Sequence, residues 1–331
     1  MKDVKDIVLS SRVRLARNLA GLSFPQNMTA AELQKLVARV NDAINLKHDF
    51  LLMSMPELPI RERRLLVERH LVSPNLAQSA QGAALISKDE TVSILIGEED
   101  HLRIQAMLPG MQLEQADTLS MSIDNMLDAK LPYAFDEELG YLTACPTNVG
   151  SGMRASVMLH LPALALSGQT EALLSTISKL GYAVRGIYGE GSSTPGHIYQ
   201  ISNQMTLGML EEDIVSNLIA TIARVIDHER SVRDALYYNN RLEVEDIVYR
   251  SCGMLRYARK LSTKEAMENI SNLKLGCGVG ILPEDAQATL NKLLTDVQSA
   301  SLEQRTGGEL TDIQRDEARA TVVREAIIPI A

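Results

Sequence analysis

The chain has 331 residues, 45% hydrophobic and 23% charged, with a net charge of −9, enough for one sizeable core and a second smaller unit and too acidic for a general binder of nucleic-acid phosphates. The lack of tryptophan and the 4% aromatic content leave few platforms for base stacking, so direct nucleic-acid binding is excluded. No apolar run approaches the roughly 18 residues of a membrane span, the N-terminus lacks a signal pattern, and Cys145, Cys252 and Cys277 are too scattered for a disulfide framework or CxxC metal site, so a soluble, cytoplasmic protein in reducing surroundings is expected.

In chain order, Arg12 and Arg14 of SSRVRLAR (Ser10 to Arg17) lie two apart and point to one side of an extended chain. Thr29 with Glu32 makes a capping-box pattern, and Leu33, Leu36, Val37, Val40 and Ile44 recur at helical spacing, which predicts a helix. A charged stretch punctuated by proline follows. From 80 to 208, short segments rich in β-branched residues or tyrosine (TVSILI, ASVMLHLP, YAVRGIYG, HIYQISNQ) alternate with Gly and Pro signals and predict mainly sheet, with a helix around Thr170 to Leu180. Glu211 opens a long helix with Ile214, Leu218, Ile222, Val225 and Ile226 on one face. Ser262 with Glu265, then Pro283, then Thr311 with Gln314 mark further helix starts. The chain therefore reads as a helical start, an α/β centre and a helical tail.

Five stretches concentrate chemistry. TVSILIGEEDHLRIQ (Thr91 to Gln105) ends an apolar segment on Glu98, Glu99, Asp100, His101 and Arg103. SSRVRLAR, CPTNVGSGMRAS (Cys145 to Ser156), RGIYGEG (Arg185 to Gly191) and RDEARA (Arg315 to Ala320) each join arginine to turn or small residues. Guanidinium groups bind phosphate by paired, planar hydrogen bonds and stay charged at physiological pH. Taken singly, each stretch has an ordinary reading: a solvated basic strand end, a solvated acidic turn, a small buried Cys145. NVGSGMR has only two glycines in G-x-G spacing, so it is neither a P-loop nor a dinucleotide fingerprint. Arg315 and Arg319, four apart, share one helix face, where surface charge pairs are also common.

Taken together, SSRVRLARN, EEDHLR, CPTNVGSGMRAS and RG(x)(x)GE, in this order, resemble the ATP:guanidino phosphotransferases, the phosphagen kinases, over roughly residues 7 to 230. YGEG (Tyr188 to Gly191), ISNQ(x)TLG (Ile201 to Gly208) and RDxxRA (Arg315 to Ala320) resemble more closely the bacterial protein arginine kinase branch, of the McsB type. The resemblance implies an α+β fold: a catalytic domain over 1–235, with an antiparallel sheet flanked by helices and a small helical N-terminal part (about 1–78), then a helical C-terminal domain over 240–331.

The implied reaction moves the γ-phosphoryl of Mg-ATP to a guanidinium nitrogen. That group is protonated and its lone pairs are delocalised, so it must be oriented and relieved of a proton as the P–N bond forms. Matched motif by motif, Glu99 is implied as the base and Glu190 as its partner. Arg103, Arg154 and Arg185, with Arg12 and Arg14, are implied to cradle the triphosphate. The nucleotide-site positions extend to Ser10, Ser11, Val13, His70, Ala155, Ser156, Val157, Met158, Gly186, Ile187, Tyr188 and Gly189, with Glu98 and Asp100 holding Mg²⁺ through waters. Cys145 matches the family's active-site cysteine and is a candidate redox-sensitive thiol. In RDEARA, Arg315 and Arg319 are implied to hold the phosphoryl group of a phosphoarginine and Asp316 its guanidinium, coupling product recognition to activity.

The implied partners are client proteins presenting arginine, basic or unfolded, an activator protein, a Clp-type protease or unfoldase, and a second copy of the chain docked through the helical tail. The implied role is to mark clients for regulated proteolysis in the stress response. Two other readings stand beside it: a free-arginine phosphagen kinase, and a non-catalytic adaptor that carries phosphoarginine proteins to a protease. Free-arginine enzymes place a helical domain before the SSRVR motif, whereas nine residues precede Ser10 here, which favours an arginine presented by a protein. Two departures are visible: Gly97 stands where the family usually has Asn, which implies a looser turn, and SSTPGH (Ser192 to His197) differs from the family's wording after GEG, which bears on loop motion and substrate contacts.

Overall fold

The computed structural model describes residues 4–44, 50–186, 195–328 and 330. Strand β1 (Val8–Arg17) comes first, followed by α1 (Ala30–Ile44), β2 (Phe50–Ser54), α2 (Ile60–Glu68) and α3 (Pro74–Ala77). The start of the chain is thus mixed rather than helical. VLSSRVRLAR alternates with period two, burying Val13 and Leu15 and leaving Arg12 and Arg14 half-buried, a pattern that only a strand can bury on one face. Helix α1 begins at the predicted capping box, where Thr29 and Glu32 bond each other's backbone N–H at 2.8 and 3.3 Å.

Next come β3 (Ala83–Ser87), β4 (Val92–Ile96), β5 (Leu102–Pro109), α4 (Leu113–Asp128), the short pair β6 (Phe135–Asp136) and β7 (Gly140–Tyr141), and β8 (Met153–His160). After α5 (Pro162–Leu166), α6 (Thr170–Lys179), β9 (Tyr182–Gly186) and β10 (Ile198–Asn203), the chain turns helical: α7 (Glu211–Asn239), α8 (Arg241–Tyr257), α9 (Thr263–Gly278), α10 (Ala286–Asp296), α11 (Ser299–Thr306) and α12 (Asp312–Ile327). Eight strands form one sheet in the order β2-β3-β4-β5-β1-β8-β10-β9, with antiparallel pairing from β2 through to β1. The α+β class and the helical tail are as expected. Pro283 lies three residues ahead of α10 instead of opening it.

The chain divides into two compact units. One comprises Ser10–Val157 and Ser202–Ala220; the other comprises Met1–Leu9, Met158–Ile201 and Thr221–Ala331. In the first, Val13, Leu15, Ile94, Ile104 and Ala106 are buried on the sheet. In the second, Val248, Leu255, Ile270, Leu290, Val323 and Ile327 build a helical core that also takes in Cys252 and Cys277 as small apolar side chains. Each buried leucine or isoleucine is worth about 1.5 to 3 kcal/mol by removal from water.

Candidate active site

The register of β1 against β5 sets Arg14 opposite Gln105, Arg12 opposite Met107 and Ala16 opposite Arg103. Residues directly opposite share a face, so Arg12, Arg14 and Arg103 share one face of the sheet. Arg154, on β8, joins them: with Arg103 it depresses the Arg12 guanidinium to about 10, behind burial as the larger cause. Arg14 is pushed well below its usual value by burial, then by Arg12, Arg103 and Arg154, with Glu98 opposing. Four cations thus crowd one half-buried face of an acidic chain, a surface suited to a polyanion.

The supports of this face are local. Arg154 donates to the Ser202 hydroxyl at 3.2 and 3.3 Å. Asn203 accepts from the Ala155 N–H at 2.8 Å and donates to the Met153 and Met205 carbonyls at 3.0 Å. Gln105 donates to the His70 carbonyl at 2.7 Å. His70 holds a left-handed backbone, φ 60°, and burial, with Arg12 second, lowers its imidazole to about 4, so it is neutral at physiological pH.

Alternation separates the remaining motif residues. Ser11, Val13, Ala155 and Val157 are buried, and being odd-numbered on strands whose even positions carry the arginines, their side chains face away from the cationic surface. The Ser11 hydroxyl instead donates to the Gly110 carbonyl at 2.8 Å. Ser10 is half-buried, and Ser156 donates to the Arg12 carbonyl at 3.4 Å. Met158 packs on the helical core of the other unit's residues, to which it belongs. Arg17, the third arginine of SSRVRLAR, is fully buried, forks onto Asp124 at 2.7 to 3.1 Å and stacks 3.5 Å above the Tyr141 ring.

At the end of β4 the chain turns on Gly97, φ 72°. A Cβ there would collide with the Leu33 side chain, and the turn is closed by Gly97 N–H to the His101 carbonyl at 3.0 Å. Glycine relieves both the positive φ and the crowding at this turn. Glu98 lies 2.5 Å from the Arg103 guanidinium and accepts from the Ser73 hydroxyl at 2.6 Å. Glu99, 40% exposed at its side chain, lies 3.2 Å from the other terminal nitrogen of Arg103. Arg103 thus bridges both carboxylates at the edge of the arginine face. A cleft of about 620 Å³ opens beside them, lined by Gln26, Ser73, Asn75, Gln78, Ser79, Glu98 and Glu99 among others.

Asp100 departs from this group. It is 2% exposed, and its Oδ1 accepts from the Asn18 amide and from the Ala144 N–H, both at 2.7 Å. It ties the acidic turn to the segment before Cys145. Its other oxygen is buried without a hydrogen-bond partner. His101 is buried too, accepting from the Leu19 N–H at 2.9 Å and facing the Ser23 carbonyl at 2.7 Å, so it is a structural histidine. Cys145 is half-buried, with its sulfur 3.0 Å from the Thr147 hydroxyl. Among the described residues no three His, Cys, Asp or Glu side chains converge as a metal cage. Glu98 and Glu99 fit the hard, oxygen-seeking Mg²⁺ that arrives on a triphosphate and keeps several waters.

Arg185 is exposed at the end of β9, beside Gly186. Ile187, Tyr188, Gly189, Glu190 and the start of SSTPGH lie outside the described residues. On α12, Arg319 is 1% exposed; its Nε donates to the Val297 carbonyl at 2.8 Å and one terminal nitrogen donates to the Leu261 carbonyl at 2.7 Å and to Asp316 at 2.6 Å, so it braces the helix from inside. Arg315, 25% exposed, pairs with Glu303 at 3.3 Å and with Asp312.

Sequence reasoning passed over Asn18, Ser73, Gln105, Ser202 and Asn203. The ISNQ wording was the only signal for Ser202 and Asn203. For Ser73 the signal was a serine before proline, the N-cap pattern.

The match to known proteins covers nearly the whole chain. Residues 32–232 match the ATP:guanido phosphotransferase C-terminal catalytic domain, and residues 241–330 match the protein-arginine kinase McsB C-terminal domain. The chain is 48% identical to the protein-arginine kinase of Halalkalibacterium halodurans, with 96% of this chain and 91% of that protein covered. It is 45% identical to that of Brevibacillus brevis, with 97% and 92% covered. Among solved structures, lombricine kinase superposes with a TM-score of 0.60 at 25% identity, over 70% of this chain and 68% of that one. No helix among the described residues is long and apolar enough to cross a membrane.

Proposed function

This chain belongs to the ATP:guanido phosphotransferase family, in its protein-arginine kinase branch, and from that premise we propose how its residues carry the γ-phosphoryl of ATP to arginine side chains of proteins. It is a protein-arginine kinase. The observation that carries the mechanism is the junction at Arg103, where the face bearing Arg12, Arg14 and Arg154 meets Glu98 and Glu99. On that face the triphosphate is held by guanidinium donors, which offset the charge spread over the phosphoryl group in flight. Glu99, the more exposed carboxylate, accepts hydrogen bonds from the acceptor guanidinium, aligns its nitrogen and takes its proton. Glu98, fixed by Ser73, would hold the Mg²⁺ of Mg-ATP, with Asp100 bracing the same turn through Asn18 and Ala144. Arg185 and Glu190 join the catalytic set on their motif match alone.

The same reading gives residues 1–235 the catalysis and 240–331 the recognition of phosphoarginine, now through Arg315 and Asp316 with Arg319 as their brace. Leu242, Tyr249 and Tyr257, exposed at 58 to 75% along α8, support a homodimer through the helical tail. Basic or unfolded clients, an activator, a Clp-type protease, a cytoplasmic site of action and a role in stress-driven proteolysis complete the proposal.

The test is incubation with Mg-ATP and either an unfolded arginine-rich protein or free L-arginine, with acid-labile phosphate read by mass spectrometry. Phosphate on protein arginine is expected; phosphate on free arginine alone would move the chain to the free-arginine reading. Glu99→Gln is expected to lower kcat about 10² to 10⁴-fold while nucleotide binding survives. A loss below about tenfold would deny Glu99 the role of base.

A further inference from the structure

The cleft beside the acidic turn holds three ionisable side chains, Glu98, Glu99 and Arg103. Both terminal nitrogens of Arg103 already face carboxylates, at 2.5 Å to Glu98 and 3.2 Å to Glu99. The remaining lining is neutral, so the cleft has no spare cation. A free arginine entering it would bring an α-ammonium and an α-carboxylate, both to be desolvated, and the carboxylate would meet no cation that is not already paired to Glu98 and Glu99. An arginine within a polypeptide brings neutral N–H and C=O groups instead, which need amide-like partners.

Asn75 and Gln78 supply such partners. Their side-chain amides carry both donors and acceptors, and neither makes a hydrogen bond among the described residues. Their mount is fixed to the catalytic turn. Ser73 caps α3 by accepting from the Leu76 N–H at 3.0 Å and donates to Glu98 at 2.6 Å, so the amides stand at a set offset from the carboxylates. Resting on the kinase reading above, we infer that Asn75 and Gln78 read the main chain around the acceptor arginine and so admit the peptide-embedded residue while the cleft rejects the free amino acid.

The test is steady-state kinetics of the full chain with two acceptors, an N-acetylated and C-amidated peptide bearing one arginine, and free L-arginine. The wild type is expected to favour the peptide at least tenfold in kcat/KM. Asn75→Ala with Gln78→Ala is expected to raise the peptide KM about tenfold, as for two ordinary hydrogen bonds lost, with the KM for ATP unmoved. Gln78→Arg, which adds a cation for the α-carboxylate, is expected to raise the use of free arginine. Gln78→Ala alone, read beside the double variant, gives part of the effect on an otherwise intact fold. A peptide KM within twofold of wild type in the double variant, or equal use of both acceptors by the wild type, overturns the assignment and leaves the kinase reading standing. A wild type that phosphorylates neither acceptor nor an unfolded arginine-rich protein overturns both.

Discussion

Asp100 receives two hydrogen bonds at 2.7 Å, from Asn18 and from the Ala144 backbone, in a site 2% exposed. Removing it strands two buried donors, and each costs about 1 to 3 kcal/mol when left unmade. Asp100→Ala is therefore expected to lose about 2 to 4 kcal/mol of stability in urea unfolding. Turnover should fall as well, because the segment before Cys145 loses its tether to the turn that carries Glu98 and Glu99. Asp100→Asn keeps an acceptor oxygen and should lose less than Asp100→Ala. A loss under about 1 kcal/mol for Asp100→Ala would show that the latch is dispensable.

Helix α12 carries a motif whose members play different parts. Arg319 satisfies two carbonyls and pairs with Asp316 in the core, whereas Arg315 pairs with Glu303 and Asp312 nearer the surface. Arg319→Ala is expected to lose about 3 kcal/mol or more, since breaking a buried pair leaves its partners uncompensated; Arg315→Ala should lose less, about 1 to 3 kcal/mol, because it leaves the buried Glu303 carboxylate without this partner. Calorimetry with phosphoarginine, on a variant shown by circular dichroism to be folded, should show weaker binding for Arg315→Ala. Unchanged binding would remove the phosphoarginine site from this helix. The caps of α1, α9 and α12 were legible because a capping box is a spacing of three residues within one turn. The shared side of Arg12 and Arg14 was legible for the same reason, as a spacing of two on a strand. The burial of Arg319 depends on carbonyls 22 and 58 residues away, and that of Asp100 on a partner 82 residues away. Such contacts exist only once the chain has folded, so no local pattern announces them. Arg17 differs from Arg14 by an odd number of positions, which on a strand means the opposite face, but only Asp124 and Tyr141 make that face habitable for a charge.

At the scale of the whole molecule, a chain of net charge −9 concentrates four guanidinium groups on one face, and the cost falls on Arg12 and Arg14. Arg12 is lowered to about 10 and Arg14 is held well below its ordinary value, by burial first and by neighbouring guanidinium groups next. The sign follows: a cation whose folded value lies below its unfolded value favours the unfolded chain as pH falls toward about 10, so at physiological pH the penalty is present in full. A polyanion laid on this face offsets that repulsion, and a ligand that binds only the folded state at about 100 times its Kd adds about 2.7 kcal/mol. Inorganic triphosphate alone, without an acceptor, is therefore expected to raise Tm, and the rise should shrink with added salt as the charges are screened. Arg14→Gln should move the two quantities in opposite directions. It removes a buried charge whose Nε has no hydrogen-bond partner, so Tm without anion rises, while the shift caused by triphosphate falls. A variant that lowered Tm and kept the full triphosphate shift would mean that Arg14 serves the fold and not the nucleotide.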